Sequence, residues 1–141
     1  MIPRNRRIID LSAIEENMRL LRSAVPSSAR MMAVVKADGY GHGSAETARA
    51  AIRGGADMLA VASAGEGKHL RQCGIAEPVL ILGAVTETDV AEAVEYNLIQ
   101  SVCSAEMVRL CEEAAAALGK QTEVHLKVDT GMGRIGVRSK P

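Results

Sequence analysis

A chain of 141 residues with 48% hydrophobic content and 17 basic residues against 17 acidic ones has the composition of one ordinary globular domain. Its zero net charge provides no field for nucleic acid or an anionic membrane, despite the small cluster Arg4, Arg6 and Arg7, and with only Tyr40 and Tyr96 as aromatics it has no base-stacking platform. No apolar run is long enough to span a bilayer and the Arg-rich start lacks the apolar core of a secretory signal, so a cytoplasmic protein is expected.

The first helix is signalled by Ser12-Ala-Ile-Glu15, which has the form of a capping box, and by Leu11, Ile14, Met18, Leu21 and Val25 at helical spacing before Pro26. Met31 to Lys36 is a Val-containing apolar run that predicts a buried strand with Lys36 at its C-terminal end. The lysine opens onto the glycine-alternated loop Ala37-Asp-Gly-Tyr-Gly-His-Gly43, and Ser44 starts a helix that stops at Gly54-Gly55. The same unit then recurs. A strand over 58–62 is followed by a helix that Ser63-Ala-Gly-Glu66 caps and Gly74 ends. Pro78 to Leu82 predicts a third strand, with proline at the first position where a missing donor is tolerated, and Thr86 opens the next helix. A strand over 98–102, an alanine-rich helix over 104–118 and a fifth strand over 124–128 complete the series.

Five short apolar strands alternating with helices predict a parallel sheet buried on both faces. Two closures are compatible with this pattern: an open doubly wound sheet, or the first five strands of a TIM-type barrel, which when complete takes ~250 residues. In either fold, ligands belong at the C-terminal ends of the strands, where Lys36 and the segment from Lys127 to Arg134 both fall.

An ammonium at the edge of an apolar environment loses solvation, which favours the neutral amine that Schiff-base chemistry requires. Lys36 is therefore either a candidate nucleophile or a strand-end lysine whose charge reaches water along its own stem. The neighbouring Gly39, Gly41 and Gly43 favour a ligand, because backbone amides can approach it closely there, and Tyr40 adds a hydroxyl for the same anion. Lys127 lies inside the fifth apolar strand and needs a partner or a modification, and Asp129 on the same strand face is the expected partner. Gly131-Met-Gly-Arg-Ile-Gly136 matches the dinucleotide-binding pattern G-x-G-x-x-G after a strand, a minor alternative because no apolar helical pattern follows it. His42, His69 and His125 lack ligand spacing, so no metal is expected. Cys73, Cys103 and Cys111, odd in number and without C-x-x-C spacing, are expected as reduced thiols, the last two as small core residues.

Taken together, Ala-Val-Val-Lys36-Ala-Asp-Gly-Tyr40-Gly-His-Gly and His-Leu-Lys127-Val-Asp-Thr-Gly-Met-Gly-Arg134-Ile-Gly-Val resemble the N-terminal half of bacterial alanine racemase. Ile9-Asp-Leu-Ser-Ala-Ile-Glu-Glu-Asn17 is similar to that family's opening helix. The resemblance implies a pyridoxal 5′-phosphate enzyme built on a (β/α)8 barrel with a separate β-rich domain, working as a homodimer in D-alanine biosynthesis for the cell wall. It makes Lys36 the lysine that carries the cofactor and one of two bases at the substrate Cα, and Tyr40 the phosphate contact. Arg134 then faces the cofactor's phenolic oxygen and the alanine carboxylate, and Lys127 is a lysine often carbamylated, a change that would turn an unpaired cation into an anion able to hold Arg134. The family's second base is a partner-subunit tyrosine from the C-terminal domain, and neither Tyr40 nor Tyr96 stands in such a motif. Residues 1–141 are accordingly expected to be the N-terminal portion of the barrel domain of a longer racemase, inactive alone; a non-catalytic pyridoxal-phosphate carrier is the alternative.

Overall fold

A computed structural model describes residues 6–84 and 86–138. The elements follow in the order α1 (Leu11–Ala24), β1 (Met32–Val34), α2 (Lys36–Gly41), α3 (Ser44–Arg53), β2 (Met58–Val61), α4 (Ala64–Gln72), β3 (Val79–Ile81), α5 (Glu87–Glu95), β4 (Ile99–Val102), α6 (Ala105–Ala117) and β5 (Val124–Leu126). All four strand pairings are parallel and the spatial order is β1-β2-β3-β4-β5, identical to the chain order.

That order decides between the two closures. A doubly wound sheet reverses direction at a switch point, whereas each crossover here adds its strand on the same side, which is how a barrel grows. The five strands form the expected incomplete (β/α)8 arc, and the sheet does not close on itself. The larger core cluster, including Val35, Leu59, Val61, Val79, Ile81 and Leu98, packs the sheet against Ala48, Ala51, Ala64, Leu70 and Ala93 of the helices. The alternate positions Met58, Ala60, Leu80 and Ile99 form a second cluster with Met32 and Leu82, on the face that a barrel turns inward.

The strands are shorter than predicted by one to three residues, and two expectations fail. The first helix is capped by Asp10, whose carboxylate accepts from Ser12 N at 3.0 Å and Ala13 N at 3.1 Å; Ser12 lies inside the helix, and Leu21 is 59% exposed. Aspartate there outcompetes the downstream serine because it reaches two of the orphan amides. The fifth strand is exposed along its length instead of buried on both faces, because it is the edge of the arc. Among the described residues no helix is long and apolar enough to cross a membrane.

Candidate active site

The C-terminal end of β1 is built differently from a plain strand-to-loop exit. Val35 still extends the ladder, its N–H donating to Ala60 O at 2.8 Å, but Lys36 begins a turn instead of ending the strand. Ala37, Asp38, Gly39 and Tyr40 follow consecutively in the left-handed region, with φ of 52°, 54°, 61° and 54°. Three of these carry a Cβ, and left-handed backbone costs such residues roughly 1–2 kcal/mol each. The strain persists because the turn is bonded at every step. Gly39 N donates to Val35 O at 2.9 Å, Gly43 N to Asp38 O at 2.9 Å, and Ser44 N to Asp38 Oδ1 at 2.9 Å, which also satisfies the start of α3. His42 Nδ1 lies 3.0 Å from Gly39 O and 3.2 Å from Tyr40 O; both carbonyls can only accept, so this nitrogen carries the proton.

The turn leaves the half-buried Lys36 and the exposed Tyr40 with their polar ends uncommitted: neither side chain makes a hydrogen bond or ion pair among the described residues. A residue that sequence reasoning assigned only to a cap secures the turn from outside. Glu66 Oε1 accepts from Ala37 N at 2.9 Å and Glu66 Oε2 from Ala62 N at 2.7 Å. Only the Ser63 half of the predicted capping box forms, Glu66 N donating to Ser63 Oγ at 3.3 Å. Nothing in the spacing distinguishes this glutamate from an ordinary cap residue.

At the far edge, Lys127 does not pair with Asp129. Its ammonium donates to Leu82 O at 3.0 Å, crossing the end of β4 to reach the residue that follows β3. Asp129 is occupied by its own loop: Oδ1 accepts from Gly131 N at 3.0 Å and Gly133 N at 2.9 Å, and Oδ2 accepts from Arg138 Nε at 2.8 Å. The Gly133 and Gly131 amides, then the Arg138 guanidinium, hold the Asp129 carboxyl below its ordinary pKa. These bonds also overturn the dinucleotide alternative, since the glycine amides that would cradle a phosphate already face a carboxylate and no helix follows through Arg138. Val137 instead returns to form a bridge with Val128, and a Cβ at Gly136 would lie 2.5 Å from Asp129 N. Arg134 is exposed on this loop, with no hydrogen bond among the described residues. Cys103 lies one residue past β4 and Cys111 is buried on α6; all three cysteines are free thiols. No group of three metal-ligating side chains exists among the described residues.

Lys36, Tyr40, Lys127 and Arg134 thus all belong to the edge of the sheet where its parallel strands end. A sequentially ordered parallel β/α arc with two lysines on that edge defines the N-terminal side of a barrel whose chemistry is concentrated at the strand ends. The chain belongs to the alanine racemase N-terminal domain family, which matches residues 9–141. It is 44% identical over 131 residues to an alanine racemase of Desulfosudis oleivorans, covering 93% of this chain and 34% of that protein. Alanine racemase 1 of Bacillus subtilis is 47% identical over 133 residues, with 94% and 33% covered. The crystal structure of alanine racemase from E. faecalis superposes with a TM-score of 0.86 at 41% identity, covering 92% of this chain and 35% of that one. The alanine racemase of Clostridium difficile 630 in complex with cycloserine gives 0.88 at 35% identity, covering 92% and 35%. The chain spans about a third of the length of the curated relatives it matches.

Proposed function

We propose that residues 1–141 form the N-terminal portion of a pyridoxal 5′-phosphate-binding barrel and supply the cofactor lysine of a racemase that interconverts L- and D-alanine. The observation that carries this reading is the uncommitted Lys36 side chain at the head of a strained, fully bonded turn on the strand-end edge. Relatives that bear on the ligand class are the C. difficile enzyme in complex with cycloserine and the Bacillus anthracis enzyme with bound L-Ala-P.

The donor set fits the cofactor. A primary amine, a phenol and a guanidinium, at Lys36, Tyr40 and Arg134, match its aldehyde, its phosphate and its phenolic oxygen, and none of the three is spent on another group among the described residues. Lys36 Nζ would bind the aldehyde carbon and later take or return the proton at the substrate Cα. Tyr40 would donate its hydroxyl to the phosphate, and Arg134 would hold the phenolic oxygen and the alanine carboxylate. When bound, the cofactor supplies an electron sink for the carbanion at Cα.

We assign Lys127 as the carbamylated lysine that anchors Arg134. A carbamate nitrogen keeps one N–H, so the bond to Leu82 O survives the modification while the cationic charge is replaced by an anionic one. Racemisation needs a base on each face of Cα. Tyr96 stands where α5 runs into β4, on the opposite edge of the sheet, with the Lys68 ammonium 5.3 Å over its ring, so it does not serve as the second. That role falls to a tyrosine of the partner subunit in a homodimer. A cytoplasmic location belongs to the same reading, supported by the three free thiols.

The test is to incubate the purified protein with pyridoxal phosphate, reduce with borohydride and map the adduct by mass spectrometry. A single dominant adduct on Lys36 is expected; label spread over many lysines with none preferred sinks the assignment. Exchange of the alanine Cα proton in heavy water then separates a racemase, which exchanges it, from a non-catalytic pyridoxal-phosphate carrier, which does not.

A further inference from the structure

Glu66 reaches across two strands. Its backbone sits in the first turn of α4, capped by Ser63, and a capping glutamate would fold back onto the Ser63 amide. Instead, its two oxygens divide between amides that lie just past the ends of neighbouring strands, Ala37 N at 2.9 Å after β1 and Ala62 N at 2.7 Å after β2. Ala37 is the residue after Lys36 and the first of the four left-handed positions. The amide that Glu66 holds is therefore the hinge between the lysine and the strained turn that carries Tyr40.

We propose that Glu66 is a positioning residue for Lys36: its carboxylate ties the left-handed turn to the end of β2 and so sets where the Lys36 amine and the Tyr40 hydroxyl stand. The inference rests on the reading of Lys36 as the cofactor lysine. Chemistry at this position demands a carboxylate. Each oxygen accepts from one amide, whereas glutamine presents one acceptor and sets an NH2 donor against the other N–H. Donor facing donor releases one end of the clamp, and the turn, left-handed at three residues with a Cβ, keeps its own backbone bonds but loses its tie to the end of β2. Aspartate is a methylene too short to keep both bonds at these distances. Glu66 touches no reacting atom and acts only through the backbone of the turn.

The experiment compares wild type, Glu66→Gln and Thr86→Ala, the last removing the cap of α5, an element that makes no hydrogen bond to the turn among the described residues. Amide hydrogen exchange over residues 36–43 is measured without cofactor, and the fraction of borohydride-trapped pyridoxal phosphate on Lys36 is measured with it. Glu66→Gln is expected to speed exchange across the turn and to lower the Lys36 share of the label, each by about tenfold, the effect of losing one charge-assisted hydrogen bond. Thr86→Ala is expected to lower the melting temperature and to change neither readout. Wild-type exchange and labelling in Glu66→Gln overturn the inference, as do equal changes in Thr86→Ala at a matched loss of melting temperature. If wild type itself labels no preferred lysine, the functional reading of Lys36 fails first, and this inference falls with it.

Discussion

The Lys127 ammonium lies 3.0 Å from Leu82 O, so the last strand of the arc is tied to the end of the third by a bond that crosses the fourth. The bond gives a charged donor to a carbonyl at the end of β3, and it stretches the lysine along the edge where ligands enter a barrel.

Replacing Lys127 with methionine keeps most of the side-chain volume and deletes the donor. For the unmodified ammonium, in bicarbonate-free buffer, a loss of about 1–2 kcal/mol is expected, the range for a charge-assisted hydrogen bond on a half-buried group, measured as a shift in the urea midpoint at constant slope. In 13C-labelled bicarbonate, wild type is expected to show a carbamate carbonyl resonance that Lys127→Met lacks. A spectrum without that resonance in wild type removes the carbamate from the proposal.

Gly39 is the position on the turn that tolerates least. An added Cβ would lie 2.9 Å from Thr47 Oγ1 and 3.3 Å from Thr47 Cβ, at a φ of +61°. Gly39→Ala is expected to cost about 2–3 kcal/mol, from left-handed backbone together with overpacking. In a Thr47→Ala background the 2.9 Å contact disappears while the 3.3 Å contact with Cβ stays, and the cost falls to about 1–2 kcal/mol. A double-mutant cycle reads the difference directly, and additive losses would show that the hydroxyl is not in the way.

Gln100 is 0% exposed, and neither its Oε1 nor its Nε2 has a hydrogen-bond partner among the described residues. Strand alternation sets it on the same side as Leu98 and Val102, which pack in the layer between sheet and helices. Methionine has nearly the same length without the polar atoms, so Gln100→Met is expected to raise stability by about 1–2 kcal/mol in thermal or urea unfolding. A drop in stability would show that the amide is satisfied by water.

The loop after β5 is expected to loosen in acid. Gly133 N, Gly131 N and Arg138 hold the Asp129 carboxyl below its ordinary value, so the folded loop binds the proton less readily than the unfolded chain does. The stabilisation is complete above the unfolded Asp range, near pH ~4, and is lost as pH falls through the lowered folded value. Following the Gly131 and Gly133 amide shifts against pH checks this. Wild type should titrate below that range, and Asp129→Asn should show no such step.

Much of this structure was legible in advance. The helices opened by Ser44 and Ser63 and the alanine-rich one over 104–118 formed within one or two residues of their expected limits, because hydrophobic periodicity and caps act between near neighbours. The misses share a cause. Asp10 and Ser12 compete for the same helix start, and the winner depends on which carboxylate or hydroxyl reaches two amides at once. Glu66 and Ala37 are 29 positions apart, and Lys127 and Leu82 are 45 apart, separations that leave no periodic trace. Four left-handed residues in a row also lie outside what three glycines predict, since Ala37, Asp38 and Tyr40 would not choose that backbone alone.

Sequence by itself determined the alternation of strand and helix, the family, and the residue types offered at the strand ends, Lys36, Tyr40, Lys127 and Arg134. Those are properties of neighbouring residues. Only the tertiary structure decided that the strands add in one direction, that the chain turns left-handed immediately after Lys36 under the Glu66 carboxylate, and that Lys127 bonds to Leu82 while Asp129 serves its own loop. Each of these depends on which strand ends meet, and a backbone amide or carbonyl, identical in every residue, reveals its partner only when the fold brings the two together.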